Sequence, residues 1–410
     1  MLPGGSGSGP RWTARRTLAT LSAMNASGTR LRQATEADIP SLAALWTEVF
    51  PGTRSGEERV RELREGMAYG ALQDCRLLEV GGRVAAALRA YRLELHVRGR
   101  LYAVLGLAGV GVAPDFRRRG LGRKICVEAL REAHSWGAVL SLLFPFRVSF
   151  YGGLGYVLAG ELHHYRFRLS DLPLYPGWER VERVSEAGFG EVREVYARVA
   201  KGSNGMLERK PGAWRTLQAP GCDLYLCRGD RGVARGYVVV HRGPWKAARP
   251  TLRVREMVWE DDETYRAMLG WLSAQRDQYA HAVYDALPSE AFHRHLPHPR
   301  REGSGRPRGL WFESARILRG PMLRVVDVGG LLAAKADVEL LVEDADIPEN
   351  QGVWRRGERS GGESASLDGA LPIAEVGRRF LEGTLPGQEP APTGWSPIGG
   401  IEDFRLLDEF

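Results

Sequence analysis

The stretch Val110 to Arg123, reading VGVAPDFRRRGLGR, constrains this chain more than any other, because it has the form of a strand entering a helix through an amide-lined loop. The apolar run Leu101 to Val112 is β-rich and stops at Pro114. Leu121, Ile125, Ala129, Ala133 and Trp136 then recur at helical spacing, so the turn between the two runs lies at a helix start. Gly120 and Gly122 carry no Cβ that would keep an anion away from backbone N–H groups. The unpaired N–H groups of a first helical turn and the positive end of the helix dipole supply the attraction. Arg117, Arg118, Arg119, Arg123 and Lys124 add formal charge suited to a nucleotide's 3′-phosphate. The turn is not a dinucleotide fingerprint, since G-x-G-x-x-G is absent, and not a P-loop, since no Gly-Lys-Ser/Thr follows. The plain alternative is a basic helix N-terminus with a solvated arginine cluster.

The whole segment, strand included, reads V-x-V-x-P-x-x-R-x-x-G-x-G and resembles motif A of the GNAT N-acetyltransferases. The resemblance implies acetyl-CoA as co-substrate, with its pyrophosphate gripped by the turn Arg117, Arg118, Arg119, Gly120, Leu121, Gly122 and Arg123. It also implies that Val110 and Val112, flanking Gly111, pair with the pantetheine arm as if extending the sheet. The Val112 N–H is then the group expected to polarise the thioester carbonyl.

Downstream lies RVSFYGGLGYVLAGELHHYRF, Arg147 to Phe167, which is similar to a Y-G-x-x-G-Y segment of the Eis (enhanced intracellular survival) family. The resemblance makes Tyr151 the general acid. The chemistry stands beside it: an amine attacking the thioester expels a thiolate whose conjugate acid has a pKa near ~8.5, and a phenol of pKa ~10 can return a proton as charge builds on sulfur. The bland reading of Tyr151 is a packing aromatic. Tyr156 is expected in the core, where Gly155-Tyr156-Val157 re-enters a strand. His163 and His164 are adjacent, so in a strand they face opposite ways and read as structural histidines. His293, His295 and His298 sit among arginines that would repel a cation, so no metal is expected.

The net charge of +7 looks like a nucleic-acid signal until it is located. Residues 1–30 and the segment Arg294 to Arg308 each carry +4, leaving the remainder near −1, so the basicity lives in a tail and a linker. A nucleic-acid face would instead be basic on folded elements with aromatics for stacking. No apolar run reaches the roughly 18 residues of a membrane span. Cys75, Cys126, Cys222 and Cys227 lack C-x-x-C spacing and read as reduced thiols of a cytoplasmic protein.

The expected fold class is α+β, with two tandem GNAT-like domains, the second degenerate, followed by a sterol-carrier-protein-like α/β domain. Residues 1–28 form a basic tail and 29–169 the catalytic domain. In the latter, strand, two helices, a three-strand meander, helix and strand follow in order. Residues 170–300 repeat that order, but Trp259 is followed by Glu260, Asp261, Asp262 and Glu263 where a pyrophosphate would sit, so carboxylates cap the helix and repel phosphate. Residues 301–410 alternate strand and helix twice; by resemblance to the Eis family this is the sterol-carrier-like unit.

The last ten residues, IEDFRLLDEF, carry −4 with the terminal carboxylate, yet Phe404, Leu406, Leu407 and Phe410 supply anchors that a frayed terminus has no need of. In the Eis family a terminal phenylalanine brings its carboxylate to the acetyltransferase pocket as the base, which the resemblance maps to Phe410. A carboxylate of pKa ~3.5 is a feeble base, so its expected work is to hold an ammonium group and relay its proton. The sequence therefore reads as an acetyl-CoA-dependent N-acetyltransferase for cationic amines, aminoglycoside-like, polyamine or lysine side chain, acting by direct transfer in a ternary complex. The resemblance implies a homo-oligomer, a hexamer in that family, with no nucleic-acid or membrane partner. Two rivals remain: a transferase using another acyl-CoA, and a non-enzymatic acyl-CoA or lipid-binding protein.

Overall fold

The computed structural model describes residues 29–185, 188–242, 251–301, 313–333, 339–355, 357–360, 369–385 and 404–408, with the backbone of Ala23–Met24. The first unit runs β1 (Ala23–Met24), β2 (Thr29–Gln33), α1 (Ile39–Val49), α2 (Gly56–Glu65), β3 (Cys75–Val80), β4 (Arg83–Val97), β5 (Arg100–Val112), α3 (Leu121–Ser135), β6 (Leu140–Leu143), α4 (Val148–Gly152), β7 (Val157–Leu158) and β8 (Glu161–Arg168). Local chemistry sets these boundaries. Ahead of α1 the Thr35 N–H and hydroxyl each donate to Asp38 at 2.8 Å. The Arg32 guanidinium grips the same carboxylate through two 2.7 Å bonds and holds its pKa well below the usual range. A capping box starts α2, with Ser55 N–H donating to Glu58 at 2.7 Å and Glu58 N–H to the Ser55 hydroxyl at 3.2 Å. Arg98 and Gly99, both at positive φ, make the tight turn that joins β4 to β5.

The second unit repeats this order as β9 (Val181–Arg183), α5 (Phe189–Gly202), α6 (Pro211–Thr216), β10 (Cys222–Arg228), β11 (Ala234–Arg242), β12 (Thr251–Trp259), α7 (Asp262–Ala274) and β13 (His281–Ala286). The remainder comprises β14 (Arg316–Arg319), β15 (Met322–Val325), α8 (Val328–Leu332), β16 (Glu339–Glu343), β17 (Gly352–Arg355), β18 (Glu358–Ser360), β19 (Leu371–Pro372) and α9 (Ile373–Glu382).

The sheets cross the boundaries expected from the sequence. One sheet has the order β1-β2-β3-β4-β5-β6-β15-β7, the next β14-β8-β13-β12-β11-β10-β9, and a small third β18-β17-β16-β19. Thus β8, the last strand of the first unit in sequence, pairs between β13 and β14 in the second sheet. In the other direction, β15 inserts between β6 and β7 of the first. Burial follows the same exchange: Val325, Leu331, Val342, Trp354, Val376 and Phe380 join the core of the first unit, while the second sheet has a core on each face. The third unit therefore folds onto the first.

Arg324 lies on β15 inside this shared core, and its guanidinium donates to Asp344 at 2.7 Å with side-chain exposures of 0% and 1%. Asn350 donates to the other Asp344 oxygen at 2.9 Å. Removing one partner of such a pair leaves an uncompensated buried charge. Arg324→Leu is therefore expected to destabilise the protein by about 3–5 kcal/mol, read as a lowered thermal midpoint, whereas Arg83→Leu, at an exposed ion pair, costs under about 1 kcal/mol.

Candidate active site

The first sheet opens at the end of β5. β5 and β6 pair in parallel only at Val104–Leu140, Leu105–Ser141 and Gly106–Leu142, after which β6 stops at Leu143 while β5 continues to Val112. On its other edge β5 stays paired with β4, but the register shifts between Ala87–Gly111 and Arg89–Ala108. Gly109 and Val110 together face Leu88, a β-bulge with Gly109 at φ +58°, and the Trp46 indole N–H donates to the Gly109 carbonyl at 2.7 Å. Beyond the bulge the Ala113 N–H donates to Ala85 O at 2.9 Å. By strand alternation Val112, one residue earlier, turns its amide groups to the open edge, where Arg117 Nε donates to its carbonyl at 3.3 Å.

The chain then enters α3 through Arg118 at φ +58° and Gly120 at φ +75°, the residue that caps the helix. Lys124 N–H donates to Gly120 O at 3.0 Å, so the N–H groups of Leu121, Gly122 and Arg123 form the first helical turn, which has no intrahelical partners. A Cβ on Gly122 would lie 3.4 Å from Val112 Cγ2 and 3.5 Å from Phe150 Cζ, so this turn sits close to both the strand end and α4. The basic side chains divide their roles. Arg119 lies over the Phe116 ring at 5.5 Å. Arg123, expected to face the cofactor, donates to Gly153 O at 2.7 Å and to Asp346 at 2.6 Å, tying α3 to α4 and to the third unit. Lys124 donates to the Thr29 hydroxyl at 2.5 Å.

Tyr151 is buried on the short helix α4, one residue after the Phe150 ring that meets Gly122. Its ring makes edge contacts with Phe146 at 5.5 Å, Phe150 at 5.0 Å and Tyr156 at 5.9 Å. Burial pushes its phenol well above the ordinary value, with smaller upward contributions from the Cys126 thiol on α3 and from Tyr156. Cys126 is itself pushed up to about 12 by burial and is no nucleophile at neutral pH. Tyr156 is buried in the core and shares a 2.7 Å hydrogen bond with Ser141. His164 bonds Asp285 at 2.6 Å and His163 bonds Glu161 at 3.2 Å, while His293 and His295 meet the hydroxyls of Tyr165 and Tyr175 at 3.3 and 2.9 Å.

Sequence reasoning missed Trp46, Phe146, Phe150 and Asp346. The spacing of Phe146 and Phe150, four apart around Arg147, offered a signal for one aromatic wall; Asp346 lies 223 positions from Arg123 and offered none. Of the C-terminal anchors, Phe404 is buried in the first unit's core and Leu406 packs against it, while Leu407 packs against the second unit. Phe410 lies outside the described residues. Among those described, no helix is long and apolar enough to cross a membrane, and no three His, Cys, Asp or Glu side chains converge as metal ligands.

Two acetyltransferase (GNAT) domain models match the chain, one over residues 30–159 and another over residues 205–325. An uncharacterized N-acetyltransferase of Streptomyces coelicolor is 31% identical over 307 residues, covering 68% of this chain and 71% of its own. A second, from Streptomyces avermitilis, is 29% identical over 309 residues, covering 68% and 72%. Among solved structures, a GCN5-related N-acetyltransferase from Anabaena variabilis superposes with a TM-score of 0.71 at 20% identity, over 92% of this chain and 97% of that one. Eis1 from Mycobacterium abscessus does so with 0.64 at 19%, over 92% and 96%, and shares the fold. With two matched domains, an opened strand and an amide turn beside it, the chain belongs to the GNAT family and is an N-acetyltransferase.

Proposed function

We propose that the chain transfers the acetyl group of acetyl-CoA directly to a cationic amine, in a ternary complex formed at the open edge of β5. The observation that carries this reading is the juxtaposition of an unpaired strand end, an amide turn at the N-terminus of α3, and a buried tyrosine one residue from the ring that meets that turn. Pantetheine would lie along Val110 and Val112, its pyrophosphate against the amides from Arg118 to Arg123, and the Val112 N–H would polarise the thioester carbonyl. The ammonium group gives up one proton to expose its lone pair, and the nitrogen then forms the C–N bond as the C–S bond breaks. A second proton leaves the nitrogen after attack, and the departing thiolate takes up one proton to leave as the CoA thiol.

Tyr151 is the group proposed to meet the sulfur. Because burial disfavours its anion, it stays protonated and donates a hydrogen bond as charge builds on sulfur; a proton it passes to the thiolate is replaced by the one the nitrogen loses after attack. The Phe410 carboxylate is proposed to hold the ammonium group and relay its proton, and the negative tail would favour cationic acceptors. Phe146, 65% exposed beside Tyr151, offers a ring face to the same cation. The domain ranges 29–169, 170–300 and 301–410 are retained as chain segments, the last proposed as sterol-carrier-like on its strand-helix order, and the assembly as a homo-oligomer.

Thiol release from acetyl-CoA and longer acyl-CoAs, measured over a panel of polyamines, aminoglycosides and lysine peptides, tests the reading. Acetyl transfer to at least one cationic amine is expected; turnover only with long-chain thioesters, or CoA binding without product, would contradict it. The cofactor turn has its own test. Gly122→Glu places a carboxylate and a side chain where the first helical turn meets Val112 and Phe150, so KM for acetyl-CoA is expected to rise more than about tenfold.

A further inference from the structure

The second unit keeps the form of a cofactor cleft without the means to hold a cofactor. β12 and β13 pair in parallel only at Thr251–His281, Leu252–Ala282 and Arg253–Val283, and then β12 runs on to Trp259. A register shift against β11, between Val240–Val254 and Val239–Glu256, leaves Arg255 as an extra residue, so a bulge follows the last parallel pair as it does in β5. Where the first unit has its amide turn, Asp261 caps α7 by accepting from Thr264 N–H at 2.8 Å, with Asp262 and Glu263 in the first turn. Phosphate is repelled there.

The cleft is nevertheless occupied. Glu260 N–H donates to Arg235 O on the β11 side, so Met257, three residues earlier, turns its carbonyl to the opened edge. Arg405 of the C-terminal segment donates through Nη2 to that carbonyl and lies 4.8 Å over the Trp259 ring. Its charge reaches two buried carboxylates of the same unit, Glu256 and Glu290. Among the described residues the hydrogen-bond donors to Glu290 are neutral, Tyr284 at 2.5 Å, Tyr265 at 3.1 Å and Leu287 N–H at 2.7 Å, so the guanidinium supplies a positive charge that partly offsets the cost of its burial.

The rest of the segment is fitted as closely. Arg405 N–H donates to Asn204 O at 2.7 Å, and Phe404 forms a parallel bridge with Asn204. A Cβ on Gly160 would lie 2.9 Å from Phe404 O, and one on Gly205 3.0 Å from the Arg405 backbone, so both positions leave room for the tail. Asp408 accepts from Arg209 Nε at 2.8 and 3.1 Å and from Tyr196 at 3.2 Å, while Arg209 grips Glu256 at 2.9 and 2.6 Å. Glu256 thus stands between both anchors.

We propose that the second unit is the receptor for the chain's own C-terminal segment, with Arg405 occupying the opened β12 edge that would admit pantetheine in a cofactor-binding unit. Docking at Arg405 and Asp408 fixes the chain two residues before Phe410, so both act as positioning residues. Their importance for turnover rests on the proposed role of the Phe410 carboxylate; docking itself does not.

The test uses full-length protein well below its melting temperature. Release of Phe410 by carboxypeptidase is expected to accelerate at least about tenfold in Arg405→Ala and in Asp408→Asn, and little in Arg405→Lys, because cleavage follows the population of the undocked tail. In the wild type, the Arg405 amide is expected to exchange hydrogen as slowly as the amides of β12. Unchanged release in Arg405→Ala, or wild-type exchange of that amide at the free-chain rate, would overturn the proposal. If the tail is freed while acetyl transfer is unaffected, docking stands and the Phe410 assignment fails.

Discussion

Tyr151→Phe is expected to lower kcat by about 10²–10³-fold while leaving KM for acetyl-CoA within about a factor of two. The split follows from the site. The ring of Tyr151 sits in an aromatic cluster with Phe146, Phe150 and Tyr156, and phenylalanine keeps that packing. What is lost is one O–H, which the proposed mechanism uses when charge develops on sulfur and not when the cofactor binds. Steady-state kinetics with both substrates varied checks this. A rise in KM with unchanged kcat would return Tyr151 to a packing role. The pH dependence carries a sign as well. The phenol is raised above its ordinary value of ~10, so its protonated form persists through that pH, and kcat should not fall between about pH 8 and 10 on account of Tyr151.

Moving the terminal carboxylate has the next largest effect. Extending the chain by one alanine after Phe410 leaves the anchors Phe404, Arg405 and Asp408 intact and displaces the charge by up to about 3.5 Å. We expect kcat to fall by about 10²-fold and KM for the cationic amine to rise, with acetyl-CoA binding unchanged. Calorimetric titration with CoA alongside the kinetics separates the two. An extended protein with wild-type turnover would remove Phe410 from the mechanism.

The motif strand and α3 were legible because their signal is local: a β-rich run, a proline stop, two glycines and a helical stripe fall within thirty-six residues, Leu101 to Trp136. The acidic cap of α7 was legible for the same reason, and Asp261 does accept from Thr264. The exchange of β8 and β15 was not. MLRV reads as a strand, but nothing in four apolar-flanked residues says which sheet it enters, and β14, RILR, is exposed throughout and has no buried face to betray it. The burial of Arg324 was not legible either, since its partner Asp344 lies twenty positions on and meets it only in the fold. Arg123 read as a cofactor contact because its partners, Gly153 and Asp346, come together only in the fold. The tail was legible as an anchored segment from its apolar residues. Its receptor was not, since Met257 contributes a backbone carbonyl that any residue would supply.

One bound acetyl-CoA per chain, in the first unit, is the central claim. Calorimetric titration of the wild type and of Gly122→Glu with CoA tests it most directly. We expect a stoichiometry of one per chain in the wild type and loss of that binding in Gly122→Glu. Two sites per chain, or one site whose affinity is untouched by Gly122→Glu, would contradict it.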